Sequence, residues 1–209
     1  MSVRRIAFVP RGGVGSGVEW GWRVKNTKQI VALDTHCLDY FIEVCESNFV
    51  RPPNDMAEQK IALLRTYLYS PNIDCFSITP TAKTEISKIP NIDRRINIES
   101  WYVLLNEVII TDENPVTKRV DKLLDMASIS NRHAKQGDAT VLAECELSAV
   151  DTLLTYDKKF NGFLRSQASR TRVLRPLEYW EELNIPRGGP CQIRPAPGHP
   201  LQDQDWWIW

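Results

Sequence analysis

The sequence predicts a three-layer α/β/α sandwich built on a central, mainly parallel sheet. Short apolar runs rich in β-formers alternate with longer segments in which apolar residues recur at helical spacing. With 209 residues and 43% apolar composition, the chain is long enough for one well-cored domain with extensions. Strands that alternate with helices favour a parallel sheet covered by helices on both faces.

The first part of this alternation runs from residue 29 to residue 89. QIVALDT (29–35) is a strand pattern, and HCLDYFIEVCES (36–47) has helical spacing. IDCFSIT (73–79) is again strand-like, and TPTAKTEISKI (79–89) can form a helix because Pro80 suits a first helical position.

The second part continues the alternation to residue 183. It predicts a helix, a short buried strand, two helices, two strands and a closing helix. The segments are ESWYVLLNE (99–107), VIIT (108–111), a helix with the apolar stripe Val116, Val120, Leu123, Leu124 and Ala127, then DATVLAECEL (138–147), DTLLTY (151–156), RVLRP (172–176) and LEYWEEL (177–183).

The two ends of the chain differ from this pattern. Residues 1–28 are predicted to be an N-terminal arm, because RGGVGSG (11–17) lacks the Lys-Ser/Thr that follows a phosphate-binding loop. Residues 29–184 form the predicted domain, with an apparent insertion at about 50–72 that contains a helical pattern. Residues 185–209 are a Pro- and Gly-rich tail ending in DWWIW, whose tryptophans should dock on the domain or on a second subunit.

Charge and cysteine content set limits on the function. Lys and Arg together number 26, as do Asp and Glu, so a nucleic-acid partner must be argued from a local site. The five cysteines are widely spread and show no zinc spacing, which favours reduced thiols. The chain has no signal-peptide core and no run of transmembrane length, so we expect a cytoplasmic protein.

Four acidic residues are predicted to meet at the carboxyl edge of the sheet. Asp34 follows QIVAL, and Asp157 follows LLTY. Asp138 opens a helix after Gly137, and Glu85 lies one turn into the helix that follows CFSIT. Ligands of parallel sheets bind at this edge, where loops and helix N-termini converge.

Each acid alone has an ordinary structural explanation, such as a helix cap, a turn or a solvated helix position. Together they repel each other by roughly 1 kcal/mol or more per pair, which predicts at least one raised pKa. A divalent cation would compensate this repulsion. A set of carboxylates without His or Cys fits Mg²⁺ or Mn²⁺ better than Zn²⁺.

The chain resembles the PIN-domain nucleases, in particular bacterial VapC-like toxin ribonucleases. The matching stretches fall in family order and are VALDTHCLDYF (31–41), TPTAKTEISKI (79–89), GDATVLAECEL (137–147), DTLLTYDKKF (151–160) and RVLRPLEYWEEL (172–183). The resemblance implies that Asp34, Glu85, Asp138 and Asp157 bind the metal and that the Thr155 hydroxyl supports them. The interval between Asp34 and Glu85 is longer than in compact family members.

Cations flank the predicted acidic site on both sides. Arg132 and Lys135 precede Asp138, and Lys158 and Lys159 follow Asp157. With Thr35, they are candidate substrate-binding residues, because such cations can hold the phosphates beside a scissile bond. Of the other polar residues nearby, His36 and His133 are predicted to be structural or solvated, Asp151 to open a strand, and Glu144 to be a solvated helix position.

These observations predict hydrolysis of RNA phosphodiester bonds assisted by one or two Mg²⁺ ions. The resemblance implies 5′-phosphate and 3′-hydroxyl products, a possible antitoxin partner and a possible homodimer. The alternative is an inactive PIN fold that serves as an RNA-binding or protein-docking module. A haloacid-dehalogenase phosphatase is disfavoured, because Asp34 is followed by Thr35 and His36 and lacks a second Asp two positions later.

Overall fold

The computed structural model describes residues 8–10, 28–46, 55–70, 76–130, 132 and 134–209. Its strands are β1 (Phe8–Pro10), β2 (Val31–Leu33), β3 (Ser77–Ile78), β4 (Asn106–Glu107), β5 (Thr152–Leu154), β6 (Arg172–Leu174) and β7 (Ile193–Pro195). Its helices are α1 (Thr35–Glu46), α2 (Asp55–Tyr69), α3 (Pro80–Ser87), α4 (Ile92–Ser100), α5 (Glu113–Ile129), α6 (Gln136–Leu147), α7 (Lys158–Gln167) and α8 (Pro176–Glu182), with a 3-10 helix at Trp101–Leu104.

Five parallel strands form the central sheet in the order β4-β3-β2-β5-β6. Within this sheet, the first strand in the sequence is the central β2. The next two, β3 and β4, are added on one side of it, and β5 and β6 are added on the other side. The direction of winding therefore reverses between β2 and β5. At such a reversal, the loops that follow the two strands diverge and leave a crevice outside their carboxyl ends.

The two faces of the sheet bury different helices. On β5, Leu154 packs into a core formed with α1, α2, α3, α4 and α8, whereas Leu153 packs into a second core formed with α5, α6 and α7. Neighbouring side chains of a strand point to opposite faces of the sheet, so the short strand β5 contributes side chains to both cores. This arrangement confirms the predicted three-layer α/β/α sandwich.

Two local predictions are wrong. The fourth strand is Asn106–Glu107 and not VIIT (108–111), and both of its residues are exposed because β4 is an edge strand. Backbone hydrogen bonds pair β4 with the segment of β3: Asn106 N donates to Phe76 O, and Val108 N donates to Ile78 O. The predicted helix at 99–107 is divided between the end of α4, the 3-10 helix and β4.

The C-terminal residues 185–209 pack on the domain. β7 pairs antiparallel with β1, and Gln192 N donates to Leu68 O at the end of α2. Trp207 is buried in the first core, and its indole N–H donates to Leu201 O at 2.8 Å. Of the two docking sites that the sequence left open for the tryptophans, the structure shows the domain's own surface.

Arg65 of α2 binds this segment through its guanidinium group. It donates to the carbonyl oxygens of Trp207, Trp206 and Ile208 at 3.0, 3.2 and 3.1 Å, and it lies 4.8 Å from the ring centre of Trp209.

Replacing Arg65 with alanine should lower the free energy of unfolding by about 1.5–3 kcal/mol, because three carbonyls lose a charged donor. Urea denaturation measures this, with the exposed Arg170→Ala as control; equal midpoints for the two variants would contradict the prediction.

Among the described residues, Cys37, Cys45 and Cys145 are buried free thiols, and Cys191 is a half-buried one. No helix in the described part of the chain is long and apolar enough to cross a membrane. Cys75 and the RGGVGSG segment lie outside the described residues.

Candidate functional site

Asp34 lies where β2 ends and α1 begins. Its backbone N–H donates to Leu154 O, which continues the pairing of β2 with β5 by one residue. Its carboxylate accepts a 2.6 Å hydrogen bond from Cys37 N and so caps α1. Asp34 is only 8% exposed. Burial raises the pKa of this carboxyl above its ordinary value, although hydrogen bonds from Thr155 and Cys37 act in the opposite direction.

Thr155 connects Asp34 with Asp157 across the neighbouring strand ends. The threonine is fully buried directly after β5, and its hydroxyl hydrogen-bonds the Asp34 carboxylate. The same hydroxyl oxygen accepts a 3.1 Å hydrogen bond from Asp157 N. One hydroxyl therefore contacts one acid through its side chain and the other through its backbone.

Asp138 does not open its helix, contrary to the sequence prediction. α6 begins two residues earlier at Gln136, and Lys135 is its N-cap. Asp138 therefore lies in the first turn, where the helix dipole favours a negative charge. Its pKa is nevertheless raised to about 6, first by burial and then by the charges of Asp157, Glu85 and Asp34, while Lys135 acts to lower it.

Glu85 approaches the other acids from α3. Its Oε2 accepts a 2.6 Å hydrogen bond from the Thr35 hydroxyl, which is the residue after Asp34. Its Oε1 faces Gly137, where an added Cβ would come within 2.8 Å of this oxygen. Glu85 Oε1 is the end of a flexible side chain that could move aside, so the contact places the Glu85 carboxylate next to Gly137, the residue before Asp138.

The described residues contain the right donors for a hard cation, but not a closed coordination site. The charges of Asp157, Glu85 and Asp34 add to burial in raising the pKa of Asp138, and all four acids offer hard carboxylate oxygens. Among the residues that the structure describes, however, no three acidic, imidazole or thiol groups are close enough together to hold a metal as they stand. The donor chemistry fits Mg²⁺ or Mn²⁺, and binding would require the carboxylates to move closer together.

The predicted substrate-binding residues have different environments. Lys135 Nζ lies 3.7 Å from Asp157 Oδ2 and is largely exposed, and Arg132 is exposed before α6. Thr35 is half-buried and engaged with Glu85. Lys158 and Lys159 are the first residues of α7, but their side chains, like His133, lie outside the described part of the structure.

Glu144 was predicted to be solvated, and this prediction is wrong. The residue is 5% exposed on α6, and its carboxylate accepts hydrogen bonds from the Thr81 hydroxyl and from Thr81 N at the start of α3. The spacing of apolar residues could not reveal the burial of Glu144, because α6 is buried on several sides and carries acids among its apolar residues. Asp151 does open β5, where its carboxylate accepts from Ile30 N at 2.7 Å.

The raised pKa of Asp138 predicts a stability gain when its charge is removed. The folded state disfavours the ionised acid, so this group costs nothing below its ordinary pKa of 3.8 and costs most above about pH 6. At about 1.4 kcal/mol per pH unit between these values, the cost is at most about 3 kcal/mol, reduced by solvent screening.

In metal-free buffer at pH 7.5, Asp138→Asn should therefore unfold at a higher temperature than the parent, and the two should converge near pH 4. Thermal melts across this pH range measure the difference. A variant that is less stable than the parent at pH 7.5 would show that the helix-dipole and Lys135 contributions outweigh the repulsion.

Comparison with known proteins identifies the fold. No protein-family model matches the chain, and no curated protein matches it by sequence. The structure of VapBC-1 from nontypeable Haemophilus influenzae contains a chain that matches with a TM-score of 0.50 at 18% identity, covering 71% of this chain and 98% of that one. VapBC2 from Rickettsia felis bound to a promoter DNA fragment matches with a TM-score of 0.44 at 14% identity, over 70% and 98% of the two chains.

FitAcB from Neisseria gonorrhoeae matches with a TM-score of 0.44 at 13% identity, again over 70% and 98% of the two chains. Identities this low bear on the fold alone, and the VapBC-1 match supports it. The parallel sheet agrees with the fold that the sequence predicted. The chain therefore has the VapC-like PIN-domain fold, a five-stranded parallel sheet between two layers of helices.

Proposed function

We propose that the protein is a metal-dependent endoribonuclease. The observation that carries this proposal is the convergence of four carboxylates near the point where the winding of the sheet reverses: Thr155 contacts both Asp34 and Asp157, and Glu85 Oε1 faces Gly137 beside Asp138. Such a concentration of negative charge is unfavourable without a cation. A PIN-like fold with hard oxygen donors at this edge is suited to Mg²⁺- or Mn²⁺-assisted hydrolysis of a phosphodiester.

Asp34, Glu85, Asp138 and Asp157 would hold the cation. When bound, Mg²⁺ or Mn²⁺ lowers the pKa of water and stabilises negative charge on a phosphate. Thr155 keeps Asp34 and Asp157 in place, since its hydroxyl contacts both residues.

Substrate groups would be handled by the exposed members of the site. Glu85 is the most exposed of the acids, and Thr35 engages only its Oε2, so its other oxygen can orient an attacking water. Lys135 lies beside Asp157, and the exposed Arg132 precedes it in the chain; both can bind RNA phosphates. Because the net charge of the chain is zero, this local pair of cations has to provide the attraction for RNA that the whole surface does not.

The proposed biological role is that of a toxin controlled by an antitoxin in the cytoplasm. Its support is the fold shared with the VapBC-1 structure, together with the sequence resemblance to VapC-like ribonucleases. A toxin of this kind is held inactive by its partner, and it can form a homodimer. Co-expression with the product of a small neighbouring gene, followed by co-purification, tests this role separately from the chemistry.

Incubation of the full chain with mixed cellular RNA tests the nuclease. Mg²⁺ or Mn²⁺ should support cleavage into fragments with 5′-phosphates, and EDTA should abolish it because the acids then lack their cation. Cleavage that continues undiminished in EDTA would rule out the metal mechanism. Metal binding by calorimetry without cleavage would favour the second candidate, an inactive PIN fold that binds RNA or protein, which is also consistent with the open arrangement of the acids.

A further inference from the structure

Glu144 is a buried acid next to the proposed site that the mechanism does not use. Its Oε1 accepts from the Thr81 hydroxyl at 2.8 Å, and both of its oxygens lie 3.2 Å from Thr81 N. Thr81 is the second residue of α3, so its N–H belongs to the first turn of the helix and has no partner within it. The carboxylate therefore binds the N-terminus of α3 to the side of α6.

The position of this contact is related to that of Glu85. Thr81 and Glu85 are four residues apart on α3 and lie on the same face of the helix. Glu144 and Gly137 are seven residues apart on α6 and also share a face. Thr81 contacts Glu144, while Glu85 Oε1 faces Gly137. The two helices thus meet at two points in antiparallel register, one at each end of their shared contact.

We infer that Glu144 is a positioning residue for Glu85, holding α3 on α6 so that the Glu85 carboxylate stays beside Asp138. The inference rests on the proposed function for its consequence, but its geometry stands without it. α3 is eight residues long, and a helix of this length is marginal unless its contacts hold it. With the Glu144 contact removed, α3 keeps its buried side chains Ala82 and Ile86 and the Thr35 contact, but its first turn is no longer bound to α6, so the helix can tilt away from Gly137.

The first measurement needs no metal and no catalysis. Glu144→Ala should increase hydrogen exchange of the α3 amides at least 10-fold relative to those of α5, and Thr81→Ala, which keeps the backbone N–H that donates to Glu144, should increase it by less. The matched control is Thr84→Ala, since Thr84 is an exposed threonine of the same helix whose hydroxyl donates only to Pro80 O. Exchange in α3 that is unchanged in Thr81→Ala and Glu144→Ala, or equally increased in Thr84→Ala, would overturn the inference.

The second measurement asks whether Glu144 acts through Glu85. Mn²⁺ titration by calorimetry should show about a 10-fold weaker Kd for Glu144→Ala than for the parent. In a Glu85→Gln background, the same change should alter Kd less than 2-fold, because the residue to be positioned is already lost. Glu144→Gln, which keeps an acceptor oxygen, should restore part of the affinity.

The two measurements separate failure of this inference from failure of the proposed function. Additive effects of Glu144→Ala and Glu85→Gln on the Mn²⁺ Kd would overturn the positioning role while leaving the metal site in place. A parent protein that binds no Mn²⁺ would instead refute the proposed metal chemistry, and the exchange of the α3 amides would then decide the role of Glu144 alone.

Discussion

Replacing Asp34 with asparagine should reduce metal-dependent RNA cleavage by roughly 100- to 1,000-fold, the range found when one essential electrostatic group is removed from an active site. The asparagine keeps an oxygen that can accept from Cys37 N, so α1 keeps its cap. What is lost is one of the four negative charges of the acidic cluster. Single-turnover cleavage of RNA in Mg²⁺, with circular dichroism to check the fold, measures the effect.

Asp138→Asn should lose activity to a similar extent, while gaining stability in metal-free buffer. This combination is diagnostic, because a merely structural acid would lose stability when neutralised. Asp125→Asn, an exposed acid on α5, is the control and should cleave like the parent. Full activity in Asp34→Asn and Asp138→Asn would show that the acids only terminate strands and helices.

Replacing Glu146 with alanine should destabilise the protein by about 3–5 kcal/mol, the cost of breaking a buried ion pair. Glu146 is 4% exposed, and its carboxylate accepts from Arg119 at 2.6 Å and from the N–H and hydroxyl of Ser169. The contact ties α5, α6 and the turn before β6 together. Without it, the largely buried guanidinium of Arg119 would keep only Gln167 O. Chemical denaturation at pH 7 measures the loss.

The contribution of Glu146 also depends on pH. Burial raises the pKa of this carboxyl, but the hydrogen bonds from Arg119 and Ser169 outweigh it and lower the pKa below its ordinary value of 4.5. The stabilisation is therefore complete above about pH 4.5 and is lost as the pH falls through the lowered pKa. Parent and variant should converge in acid. The exposed pair Arg172–Glu182 provides a control, since Glu182→Ala should cost at most about 1 kcal/mol.

The sequence could predict the sheet because the pattern of a buried parallel strand is local. Val31–Leu33 and Thr152–Leu154 are continuous buried runs followed by acids, and their pairing brings Asp34 and Asp157 to one edge. β4 was misplaced because an edge strand needs few apolar residues: Asn106 and Glu107 are exposed, while the apolar Ile109 beyond them is 75% exposed. Pairing with β3, which is a long-range property, decides where such a strand lies.

Some features of the structure could not be predicted from the pattern of a single segment. α7 (Lys158–Gln167) was missed because Gly162 and a polar composition weaken its pattern, although Phe163 and Leu164 are buried. Gly137 and Glu144 have ordinary roles when α6 is considered alone. Their importance follows only from the position of α3 against α6, which the chain sets across more than fifty residues.

The contact between Arg65 and the C-terminal residues has a consequence for synthesis. The guanidinium binds carbonyls about 140 residues further along the chain, and Trp207 completes the core around α2. During translation, the face of α2 that receives these residues must remain uncovered until Trp206–Ile208 have emerged from the ribosome. Loop closure over so long a span is slow compared with local helix formation. Nascent chains are therefore expected to need protection of this face, and chaperone capture should fall sharply once residue 207 has emerged.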